Sequence, residues 1–234
     1  MNCWSQLNWT VGNTKPPYET LDNVSLVSDI KPYEKIKIRC LNGGHSALGY
    51  AGHLAGFKTI DETALDNTFQ AYLRMYFQEV SVTLDVVDGI NLPQYQDKLL
   101  ERFSNHNIKD DVLRICKDGS SKIPGFILPT IEEVLTTGTT PTNCLSFLVA
   151  SWIAFIDHER VNGRTVDDTE SSALLDLVQQ VSQNKNDVRL FLNERRWFGG
   201  LSDNASFVAQ VQTAYNQIIA DGILAAIKNL LAQV

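Results

Sequence analysis

Between Asp61 and Val80, the residues Ala64, Leu65, Thr68, Phe69, Tyr72, Leu73, Tyr76 and Val80 recur at intervals of three and four. That period stacks side chains on one face of an α-helix, where a strand would need every second residue. Comparable helical stretches are expected at about 34–55, 94–103 and 110–116, from Pro129, and at 144–158, 167–183, 187–195, 204–219 and 222–234. Nothing alternates strand with helix, so the sequence predicts an all-α, mostly helical fold without a parallel sheet. The longest apolar run, Cys144 to Ile156, holds thirteen residues and includes Ser146 and Ser151. A span across a bilayer needs about 20 residues, so this run reads as a buried core helix and no membrane partner is expected.

Residues 1–33 carry Pro16, Pro17 and Pro32 among scattered Asn and Thr, and alternate briefly around Val24, Leu26 and Val27. They read as an extended N-terminal arm with one short strand. Pro32 fits the first turn of the next helix, where its missing N–H costs nothing. The expected division is therefore an arm, 1–33, and one helical domain, 34–234.

The 234 residues are 44% hydrophobic and carry a net charge of −7, enough for a substantial core and unsuited to an extended nucleic-acid or anionic-membrane surface. Cys3, Cys40, Cys116 and Cys144 form no CxxC pair and read as reduced thiols. MNCWSQLNWTVGN lacks the basic flank and apolar stretch of a signal peptide, so the expectation is a cytoplasmic chain, with the Asn-x-Ser/Thr matches at Asn8, Asn23 and Asn204 fortuitous. There is no GxGxxG after a strand, no P-loop, no HExxH and no acidic calcium-type loop. The chain thus shows no cradle of its own for a dinucleotide or triphosphate, and no metal site is expected.

The chemistry concentrates in EKIKIRCLNGGHSALGY, Glu34 to Tyr50. With Lys37 at zero and a step of ~100° per residue, Glu34 falls near ~60°, His45 near ~80° and Asn42 near ~140°, within one arc of a helix. A lysine with its pKa lowered by desolvation can take a proton from an alcohol, while an amide N–H steadies the developing oxyanion and an imidazole holds a neighbouring hydroxyl. Glu34, one turn earlier, can pass a proton to water, or serve as an ordinary carboxylate at a helix start. Gly43 and Gly44 each cost about 1 kcal/mol relative to alanine in a helix, so either something approaches the backbone there or the helix bends. In RICKDGSSKIP, Arg114 and Lys122 flank the Asp118–Gly119 turn, two cations suited to a polyhydroxylated or carboxylated ligand.

The segment KIKIRCLNGGHSALGYAGHLAG, with PYEKIK at its start, RFSNHNIKD after it and then RICKDGSSKIPGFILPTI, resembles the mannitol dehydrogenase family, polyol-specific long-chain dehydrogenases that include fructuronate and tagaturonate reductases. The resemblance runs from about Pro16 to the C-terminus and is thinnest after about residue 160. It is to the family's helical C-terminal domain, of the 6-phosphogluconate dehydrogenase C-terminal-like fold; the Rossmann-like N-terminal domain that binds NAD or NADP has no counterpart in this chain. The resemblance implies that Lys37 is the acid–base, that Asn42 polarises the reacting oxygen, that His45 orients the substrate, and that Glu34 carries the proton to solvent. It implies too that Arg114 and Lys122 hold distal hydroxyls, and that hydride passes without a metal between nicotinamide and a polyol/ketose or hexuronate substrate. DGSSKI is closer to the polyol and hexuronate branches than to the mannitol-1-phosphate branch. The alternative is a non-catalytic helical binding or scaffold domain derived from that family.

Overall fold

The computed structural model describes residue 27, residues 29–138 and residues 142–233. The strand expected around Val24 and Leu26, Cys3, and the sites at Asn8 and Asn23 lie outside these residues. Among the described residues the fold is all-α, with only an isolated bridge between Thr59 and Asp111.

The first helix begins earlier than expected, at Lys31, with Pro32 in its first turn. It runs as α1 (Lys31–Ile36), a π-helical segment (Lys37–Asn42) and α2 (Gly43–Leu54). The single helix expected across 61–80 is two, α3 (Ile60–Leu65) and α4 (Asn67–Ser81). Asp66 separates them: its backbone is extended and its carboxylate accepts the amides of Thr68 and Phe69 at 2.8 and 3.2 Å. A short polar side chain that can satisfy orphan amides starts a helix more readily than it continues one.

Asn91 caps α5 (Leu92–Phe103), and α6 (Val112–Cys116) and α7 (Gly119–Lys122) lead into a second π segment (Ile123–Ile127) and α8 (Leu128–Thr137). Then come α9 (Asn143–Val161), α10 (Ser171–Gln183), α11 (Arg189–Leu192), α12 (Arg195–Phe198), a 3₁₀ turn (Gly199–Asp203), α13 (Ala205–Asp221) and α14 (Ile223–Leu231). Helix α10 starts later than expected because Asp167 and Asp168 are drawn to the α7 turn: the Asp167 carbonyl accepts the Asp118 amide at 2.9 Å, and the Asp168 carboxylate takes the amide and hydroxyl of Ser120.

Helix α9 is the axis of the core, packed by α2, α4, α10, α13 and α14. Every residue from Cys144 to Ile156 is buried, as its composition requires, and each large apolar side chain so placed contributes about 1.5–3 kcal/mol. The buried amides that begin α9 are satisfied from another helix: the Glu79 carboxylate on α4 accepts Cys144 N–H at 2.7 Å and Leu145 N–H at 2.9 Å. Cys40, Cys116 and Cys144 are free and buried. Among the described residues, no helix is long and apolar enough to cross a membrane.

Candidate functional site

The helix from Lys31 to Leu54 is continuous in backbone conformation but changes its winding where the chemistry was expected. At the end of the first π segment, the Gly43 amide donates to the carbonyls of Ile38 and Cys40. It bypasses Arg39, and the Arg39 carbonyl accepts the Tyr76 hydroxyl at 2.6 Å. A uniform helical step therefore fails here. Less rotation per residue across the π segment subtracts about one residue step, ~100°, bringing Asn42 to ~40° and His45 to ~−20° with Lys37 at zero. With Glu34 near ~60°, the four polar residues share a narrower face than α winding would give them.

Of the two glycines, Gly43 is the one a neighbouring helix requires. A Cβ at Gly43 would collide with the Tyr76 hydroxyl oxygen and sit 3.3 Å from Ile127 Cδ1, while one at Gly44 would reach Leu73 and Phe103 at 3.4 Å. The π segment is also held through Arg39, a buried side chain that donates to the Thr83 carbonyl at 3.2 Å and to Glu133 at 2.7 Å, with Lys35 on the other Glu133 oxygen at 2.9 Å.

Lys37, Asn42 and His45 are all partly buried. The His45 ring lies 4.5 Å from that of Phe103, and burial pushes its pKa down to about 4 against the pull of Asp110. Its imidazole is thus neutral near pH 7, a hydrogen-bonding group rather than a cation. It borders a cleft shared with Ile60, Arg102, Phe103, Lys109 and Asp110. Glu34 stands in the first turn of α1, and its carbonyl accepts the Lys37 amide.

Helix α6 packs on α2 and the second π segment packs on the first, which carries the Arg114–Lys122 block to this helix; both cations act electrostatically on His45. Arg114 is turned to Asp110, one helical turn before it, with Nε on Oδ1 at 2.6 Å and a second N–H on Oδ2. Its remaining N–H donors are uncommitted to that carboxylate. Lys122 Nζ donates to the Ile115 carbonyl at 3.1 Å, and burial lowers its pKa. In the turn between them Asp118, not Gly119, takes the left-handed backbone, with φ +52°. Gly119 is needed for packing, because a Cβ there would collide with Trp152 Nε1 and stand 2.9 Å from the Tyr50 hydroxyl. Of the six residues expected at the site, His45 alone lines the cleft shared with Phe103 and Asp110, and no glycine-rich phosphate cradle accompanies them.

Sequence reasoning missed Tyr76, Glu79 and Arg39, none of which carries a local signal for its role. It also missed a second cluster. His53, His158 and Glu159 bring three ligand-type atoms within 4.8 Å of one another. Glu159 is already engaged there: Arg164 forks onto it at 2.7 and 2.6 Å and, with His53 at 2.9 Å, holds its pKa down to about 2. The adjacency of His158 and Glu159 at the end of an apolar run was the available hint.

The mannitol dehydrogenase C-terminal domain matches residues 29–219. Mannitol dehydrogenase 2 of Saccharomyces cerevisiae is 37% identical over 221 residues, covering 94% of this chain and 44% of that protein. Mannitol 2-dehydrogenase of Emericella nidulans is 36% identical over 215 residues, covering 90% and 42%. Among solved structures, Pseudomonas fluorescens mannitol 2-dehydrogenase in ternary complex with NAD and D-mannitol superposes with a TM-score of 0.86 at 34% identity, covering 95% of this chain and 45% of that one. A substrate-free D-sorbitol dehydrogenase superposes with a TM-score of 0.79 at 27% identity, covering 92% and 44%. The chain thus spans less than half the length of the relatives it matches.

Proposed function

The chain belongs to the mannitol dehydrogenase family, matching its C-terminal domain, and we propose that it is the substrate-binding and catalytic half of an NAD-dependent dehydrogenase interconverting a mannitol-like polyol and its ketose. The observation that supports the reading is that Lys37, Asn42 and His45 are partly buried on one helix whose π segment runs from Lys37 to Asn42. A polyol is favoured over a hexuronate by the relatives, which are described as mannitol and sorbitol dehydrogenases.

In the oxidative direction Lys37, as the free amine, takes the hydroxyl proton of the substrate as its carbon–oxygen double bond forms. A nicotinamide, held by the separate nucleotide-binding half that the family resemblance implies, would supply the acceptor for the hydride leaving that carbon. Asn42 directs its amide N–H to the same oxygen, where negative charge grows, and neutral His45 bonds a neighbouring hydroxyl and fixes the sugar chain. Glu34 passes the Lys37 proton onward to solvent. The N–H groups of Arg114 left over by Asp110, with the Lys122 ammonium, take the distal hydroxyls. Reduction runs the same steps backwards, with protonated Lys37 as the acid.

The test joins this chain to a nucleotide-binding half of the family and follows NADH absorbance with a ketohexose. Ketose-dependent NADH consumption is expected. No turnover with any ketose or keto-hexuronate, in a preparation that binds NADH, would contradict the reading and favour a scaffold role.

A further inference from the structure

Tyr76 lies wholly inside the core on α4, and its hydroxyl reaches the Arg39 carbonyl in the middle of the first π segment. In an α-helix that carbonyl would accept the amide four residues on, that of Gly43. Here the Gly43 amide goes to Ile38 and Cys40, and Tyr76 stands in the place Gly43 has left. The exchange requires a bare position 43, since a Cβ there would fall on the hydroxyl oxygen and 3.0 Å from Cζ. Donor, carbonyl and glycine thus form one device on the segment that separates Lys37 from Asn42.

We propose that Tyr76 is a positioning residue for the reaction: by holding the Arg39 carbonyl away from Gly43, it fixes the wide winding of Lys37–Asn42 and so the angle between Lys37 and the Asn42–His45 pair. The inference rests on the roles given above to those three residues. A π turn is rare and persists where something holds it. Without the hydroxyl, the Gly43 amide returns to the Arg39 carbonyl, and Lys37 rotates by about one residue step, ~100°, relative to His45. The base then no longer faces the oxygen that Asn42 and His45 hold.

The experiment compares Tyr76→Phe and Gly43→Ala, one removing the hydroxyl and the other displacing it, in the chain joined to a nucleotide-binding half of the family, with Lys37→Ala beside them. Crystal structures of the variants, kcat and KM for the polyol, and unfolding temperature are read together. Expected are α winding across 37–42, a kcat lowered between ~10- and ~100-fold, KM within about threefold, and a chain still cooperatively folded. Retention of the π segment in Tyr76→Phe overturns the proposal, and so does α winding with unchanged kcat. If Tyr76→Phe does not fold, Gly43→Ala is judged by the same outcomes. Lys37→Ala separates the two levels: a fully active Lys37→Ala removes the assigned chemistry, whereas an inactive one beside a fully active Tyr76→Phe removes only the positioning role.

Discussion

Helix α9 and the first π segment both depend on α4, at side chains three residues apart, and they depend on it differently. Glu79 satisfies the amides at the start of α9, whose length is then free to be regular and apolar. Tyr76 satisfies a carbonyl in the middle of the other helix, where the irregularity lies among partly buried polar side chains. The core helix takes from α4 the partners of its first amides, while the helix proposed to carry the chemistry takes from it a partner for a carbonyl in its middle.

The difference can be pressed hardest in the core. Phe147→Ala on α9, a side chain 1% exposed, is expected to cost about 3–5 kcal/mol by denaturant unfolding, while the protein that remains folded keeps its KM for the polyol. A shift in KM would mean that the two helices are less separable than their packing suggests. Glu79→Ala should come next, at about 2–3 kcal/mol, because it leaves buried amides unpaired. Its pH dependence sharpens the contrast. Burial raises the Glu79 pKa from 4.5 to about 7 against the pull of the two amides, so the folded state favours the protonated acid. That contribution is complete below pH 4.5 and lost as pH rises through about 7. Measured against Glu79→Gln, which does not titrate, the parent should lose on the order of 2–3 kcal/mol across that window; a flat difference would show the carboxylate to be fully compensated by its amides. Asp66→Ala, which removes the cap of α4, should cost about 1 kcal/mol and lower Tm without changing kcat.

The fold was legible because three-and-four spacing survives in α4 and the apolar run in α9. The break at Asp66 was not, since an aspartate within a helical pattern reads as a solvent-facing residue until its carboxylate is seen on two amides. That Glu34, Lys37, Asn42 and His45 fall on one helix was legible, but their angles were not. Its winding depends on a hydroxyl 37 positions away, and no local pattern around Gly43 says whether a ligand or a tyrosine fills the space. Glu79, 65 residues before the amides it caps, is hidden for the same reason. The Asp110–Arg114 pair, four apart, was open to inspection; it leaves only part of the Arg114 guanidinium uncommitted to that carboxylate.

The central claim is that Lys37 moves the proton. The direct measurement is kcat for polyol oxidation and ketose reduction by Lys37→Ala in the chain joined to a nucleotide-binding half of the family, with Tm recorded on the same samples. A fall of at least ~10²-fold in both directions with Tm within a few degrees of the parent is the predicted result. Turnover equal to the parent's, in either direction, would contradict it.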